Sequence, residues 1–159
     1  MNSHNGFTLI EVLIAMLLLG VGLLGLAGLQ ANSLRSAQSA YNRSLATELA
    51  YDLADRMRAN IPGIATYLIG PAAQIANCKN TTGCSSAQMA QNDLFEWNTL
   101  ITTLPIGQSI ICIDSTPDDG TTALPSCDGI VGSPYAIKIW WDDNHDGLTD
   151  LRFVTSFQL

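Results

Sequence analysis

Gly6-Phe7-Thr8-Leu9-Ile10-Glu11-Val12 opens an apolar run that ends near Leu29, and this stretch decides how the chain folds. Between Phe7 and Leu29 stand one charge, Glu11, and one other polar side chain, Thr8. As a helix the run spans about 34 Å, against about 30 Å for a bilayer core. A carboxylate at mid-bilayer costs about 2.5–3.5 kcal/mol, and a place near one end lowers that cost. A charge kept in such surroundings implies a task and a partner.

Beyond Leu29 the helical period continues. Leu34, Ala37, Tyr41, Leu45, Leu49, Leu53 and Met57 recur at three- and four-residue spacing among polar residues. This predicts one helix from about Thr8 to Asn60, apolar all round in its first half and amphipathic in its second, ended by Pro62 and Gly63. Within it Glu48 repels Asp52 and Asp52 attracts Arg56, each by a few tenths of a kcal/mol. Gly20, Gly22, Gly25 and Gly28 interrupt the apolar half, each costing about 0.8–1 kcal/mol relative to Ala. They suit close helix packing, a segment able to melt, or both.

Residues 61–87 read as a loop, rich in Pro, Gly and Asn. Leu94, Trp97, Ile101 and Leu104 predict a short amphipathic helix from about Ala87 to Leu104, and Ser109 to Ile113 a buried strand. A turn-rich loop follows from Thr116 to Gly132. Tyr135, Ile137, Ile139 and Trp141 then alternate with Ala136, Lys138 and Trp140, and Leu151, Phe153, Thr155 and Phe157 with Arg152, Val154 and Ser156. These two strands form a hairpin, expected to pack one face on the stripe from Tyr41 to Met57. One of Trp140 and Trp141 belongs to the core, and the other covers the back of the sheet or meets a partner. Tyr51 and Tyr67 read as packing.

The chain is acidic, with 14 Asp and Glu against 7 Lys and Arg, so its surface repels nucleic acid and anionic lipid. Cys78, Cys84, Cys112 and Cys127 show no metal-ligand spacing and read as two disulfides in an oxidising compartment. Three pairings are possible; Cys78–Cys84 and Cys112–Cys127 are preferred because each closes a short loop. After a cut at Gly6, His145 is the only histidine, and no nucleophile elbow, phosphate loop or zinc motif is present, so no enzyme is expected.

The opening residues resemble the class III signal of type IV pilins and pseudopilins. In that family a prepilin peptidase cuts after the glycine matched by Gly6 and methylates the new amino terminus, here Phe7. The family's acid matches Glu11, which there pairs with the terminal amine of a neighbouring subunit. Leu45 to Asn60 and the stretch from Trp140 to Phe153 resemble PilV-type minor pilins. The resemblance implies an α+β pilin fold, a long N-terminal helix packed on a small antiparallel sheet. It implies a leader (1–6), a membrane or filament-core segment (7–29), an amphipathic half-helix (30–60) and a periplasmic head (61–159). Expected partners are the major pilin and other minor pilins through the helix, with the inner membrane as the site before assembly. The leader has no Lys or Arg, so orientation follows from the cleavage signal and the disulfides rather than from charge bias. The expected role is priming, assembly and capping of a pilus, in support of twitching motility and adhesion. A minor pseudopilin of a type II secretion system and a tip adhesin are the alternatives.

Asp142, Asn144, Asp146, Gly147 and Asp150 match positions 1, 3, 5, 6 and 9 of a calcium loop, but Phe153 stands where the closing Glu belongs. A solvated acidic hairpin tip is the plainer account and a calcium site the alternative; no other cofactor is expected.

Overall fold

A computed structural model describes residues 8–149 and 151–159. Contacts divide the chain into two units, one ending at Ala40 and the other running Tyr41–Leu159. Helix α1 (Leu9–Ala59) enters both. From Thr8 to Gln38 every described residue is exposed.

The second unit has a single core. On α1 it takes Ala46, Leu49, Ala50, Leu53, Ala54 and Met57, with Asn42 buried at its margin. The expected stripe is therefore displaced. Leu49, Leu53 and Met57 are buried as expected, whereas Leu34 and Tyr41 are 72% and 61% exposed. Alanines at 46, 50 and 54 fill the rest of the face, since a small side chain lets neighbouring elements approach the helix backbone closely. The helix ends at Asn60, whose side-chain amide donates to Ser86 O at 2.8 Å.

The stretch expected to be loop contains helix as well. A 3₁₀ turn (Ile61–Gly63) leads into α2 (Ile64–Ile69), and a second 3₁₀ turn covers Ala76–Lys79. Ile64, Tyr67 and Leu68 place apolar groups one turn apart and Tyr67 is buried, so packing sustains a helix too short to persist alone. Helix α3 (Ser86–Ile101) starts at a reciprocal cap: the Ser85 hydroxyl accepts from Gln88 N and the Gln88 side chain accepts from Ser85 N. Its buried face carries Ala90, Leu94, Trp97 and Ile101, and the Trp97 indole donates to Leu49 O on α1 at 2.8 Å.

Strands β1 (Gln108–Ile113), β2 (Tyr135–Trp141) and β3 (Leu151–Phe157) make one antiparallel sheet in the order β1-β2-β3. The expected hairpin is β2–β3. Ile137 pairs across to Ile111 and Thr155, and Trp140 to Gln108 and Arg152. The inner face presents Ile111, Ile137, Ile139, Trp141 and Phe157 to the helices. Tyr51 of α1 meets Phe153 edge-on, and the Arg58 guanidinium lies 4.8 Å over the Phe157 ring. The strand expected to be buried, β1, sits at the sheet edge, with Ile111 its only buried residue. Together these elements are a long helix packed with a small antiparallel sheet, the α+β arrangement that the resemblance implies.

Both faces of β2 are buried. Ala136, Lys138 and Trp140 point away from the helices yet are 0%, 0% and 4% exposed. They lie beneath the β1–β2 connection, residues 114–134, which forms a strap over the outer face. Trp140 and Trp141 are therefore both core residues, one on each side of the sheet.

Candidate functional site

The apolar part of α1 leaves its side chains exposed. Leu9, Leu17, Leu24 and Leu29 are 79%, 66%, 75% and 71% exposed. Long runs of exposed aliphatic surface mark a contact with lipid or protein. Among the described residues this is the one helix long and apolar enough to cross a membrane. Glu11 lies in its first turn, its own N–H donating to Thr8 O at 3.1 Å. There the unpaired N–H groups and the helix dipole favour a negative charge. Gly6 and Phe7 lie outside the described residues. A Cβ placed on Gly20, Gly22, Gly25 or Gly28 would meet nothing within 4 Å, so no packing among the described residues requires those glycines.

Among the described residues of the second unit, two groups of charges join several elements. The first gathers where α1, α2 and α3 converge. Arg56 donates to Asp52 at 2.9 Å, to Asp93 at 3.0 Å and to Glu96 at 3.2 Å, and Lys79 reaches Glu96 at 2.7 Å. The buried Tyr67 hydroxyl donates to Asp93. Burial alone would lower the Arg56 pKa, but its bonds to Asp93, Glu96 and Asp52 outweigh that and raise it. The Tyr67 phenol is pushed up by burial and by Asp93. The Glu96 carboxyl is held below the usual range, first by Lys79 and then by Arg56. Every shift fixes the charge or proton already present, which is how a structural tie behaves and not a group that transfers protons. Sequence spacing exposed only the Asp52–Arg56 pair; the other bonds of Arg56 reach residues 37 and 40 positions away, and the Tyr67 hydroxyl reaches one 26 positions away.

The second cluster lies under the strap. The Lys138 ammonium sits 2.6 Å from Asp114 Oδ2 and 3.1 Å from Asp119 Oδ1, and donates to Asp119 O at 3.1 Å and Pro125 O at 2.8 Å. Lys138 and Asp114 side chains are both 0% exposed. Beside them Arg152 donates to Gly120 O at 2.7 Å and to Asp118 O at 2.8 Å. Lys138 holds the Asp119 carboxyl below its usual range. Sequence reasoning missed this cluster; its one trace was a lysine flanked by Ile137 and Ile139.

Cys78–Cys84 and Cys112–Cys127 are disulfide-bonded. Cys112, Asp114 and Cys127 lie close together, but the bridge takes both sulfurs, so the three make no metal-ligand set.

At the hairpin tip the calcium-loop residues fold on themselves. Asp142 Oδ1 accepts from His145 N at 2.7 Å and Asp146 N at 3.2 Å, and Oδ2 from Gly147 N at 2.9 Å. Asn144 donates to Asp146 Oδ2 at 3.0 Å. Asp142 thus acts as the local backbone anchor of the turn. Asp150 lies outside the described residues.

Two family models match the chain. One, type IV pilin Tt1218, covers residues 28–95. The other, the prokaryotic N-terminal methylation motif, covers residues 1–27. The sheet lies outside both matches. Neither the curated proteins nor the solved structures yield a significant match.

Proposed function

We propose that this chain, which belongs to the type IV pilin family, serves as a PilV-type minor pilin that primes, assembles or caps a pilus. The observation that carries this is the first part of α1, long, apolar and exposed on every side, with Glu11 as its single charge. As a pilin the chain is a filament subunit, anchored by its apolar helix before it enters the fibre. The finer reading places the helix in the inner membrane and the head in the periplasm. The disulfides suit that oxidising side.

In this reading prepilin peptidase cuts after Gly6 and methylates Phe7. The ammonium so created, on one protomer, is the cation for Glu11 of the next. At 4 Å and an effective dielectric near 20 the attraction is about 4 kcal/mol before desolvation is subtracted. Aliphatic contacts between helices are non-directional, whereas this ion pair fixes their axial register. The acidic head supplies specificity towards other minor pilins and the major pilin.

The test compares Glu11→Ala with wild type in cells lacking the native gene. The variant should be cleaved normally, as read by mass spectrometry of its amino terminus, yet be missing from sheared fibres. Normal incorporation would overturn the pairing. Deletion should reduce pilus number and twitching while leaving protein secretion intact; the reverse phenotype would assign the chain to a type II secretion system. If motility survives but adhesion fails, a tip adhesin is indicated instead.

A further inference from the structure

The strap has features that a passive connection does not need. Every strap oxygen that holds Lys138, from Asp114, Asp119 and Pro125, lies between Cys112 and Cys127. The strap carbonyls that hold Arg152, from Asp118 and Gly120, lie there too. Cys112 pairs with Ala136 in the sheet register, which places its sulfur on the same outer face as Lys138. The segment makes no strand ladder, and it passes through left-handed backbone at Gly120 (φ 82) and Ser126 (φ 58). At Gly120 a side chain would collide with the Pro125 carbonyl. Such conformations persist only where surrounding structure enforces them.

We propose that the Cys112–Cys127 bridge and the Lys138 ammonium form one latch, set by oxidation, that seats the strap on the sheet. Closing the bridge removes two electrons and two protons from the two thiols; a disulfide-bearing thiol oxidant accepts them and leaves as its dithiol. Without the bridge the strap becomes a free loop of about twenty residues, and holding it in one conformation costs more entropy. Lys138 cannot stay buried once its acceptors disperse, because an ammonium out of water must be paired. The reduced chain therefore exposes Lys138 and Trp140, and only the oxidised chain has a finished outer face. On the reading proposed above, that face is completed after export.

Hydrogen–deuterium exchange on the full chain in detergent micelles tests this. Cys112→Ser/Cys127→Ser should exchange at least about tenfold faster over residues 114–126 and 136–140. Cys78→Ser/Cys84→Ser should match wild type in both segments. Lys138→Met, with both bridges intact, should loosen 114–126 to a similar extent; if it does not fold, Asp119→Asn replaces it and should show the same direction of change. Adding Lys138→Met to the Cys112/Cys127 variant should accelerate exchange less than twofold further. Wild-type protection of the strap in either the bridge variant or the ammonium variant would overturn the latch, as would effects that simply multiply.

Discussion

The two units of this chain solve opposite problems. From Leu9 to Ala40 the chain is a helix whose apolar residues are all exposed; from Tyr41 on it encloses a core in which Leu53, Ile137 and Ile139 are 0% exposed. The amino-acid types differ little, since leucine supplies both. What differs is the neighbour. The second unit supplies its own apolar surroundings through α3, the sheet and the strap, whereas the first leaves them to lipid or to other helices. A residue's contribution to stability should therefore be measurable within one chain only on one side of that boundary.

The sharpest contrast comes from buried charge. Asp114→Ala leaves the Lys138 ammonium buried without its nearest partner, 2.6 Å away in the wild type, and should cost about 3–5 kcal/mol in denaturant unfolding. A cost below about 1 kcal/mol would mean that the strap does not hold the sheet. Next is a matched pair of truncations on one helix. Leu53→Ala should destabilise the head by about 2–5 kcal/mol, while Leu24→Ala, at a position 75% exposed, should leave its thermal midpoint unchanged. Equal effects would erase the distinction between the units.

Acid gives a graded version. The folded-state carboxyls of Glu96 and Asp119 titrate lower than unfolded ones, so their stabilisation is fully present above the unfolded values, about 4. It is lost as pH falls through the lower folded values. The head's thermal midpoint should drop below about pH 4, and Arg56→Met together with Lys79→Met should reduce that drop. Smaller still, Gly22→Ala should add about 0.8–1 kcal/mol of local helix preference, seen as a slight gain in far-ultraviolet dichroism, with no change in the head. The smallest effect expected is from calcium. Because Phe153 stands where the closing bidentate Glu belongs, millimolar calcium should produce no binding heat in calorimetry.

Elements with a strong local period were legible in the sequence. The length of α1, the apolar face of α3 and the β2–β3 hairpin follow from spacing alone, as does Glu11's isolation in a greasy helix. Features made by distant contacts were not. Alanines 46, 50 and 54 carry too little hydropathy to announce a buried face, and the helical period points to the more conspicuous Tyr41 instead. Helix α2 was hidden by the Pro and Gly that frame it. The burial of Lys138 was not legible, because alternation says which side of a strand a residue takes, and not whether something covers that side.

Lys138 has one more implication. Four oxygens around one cation, two of them from carboxylates, is the arrangement that many extracellular modules complete with a metal taken from the medium. Here the cation is tethered to β2 by its own side chain. It cannot be diluted away, stripped by a chelator or displaced by salt, since buried charges feel little of the ionic atmosphere. A head with its cation built in keeps the same face in dilute buffer and in concentrated salt.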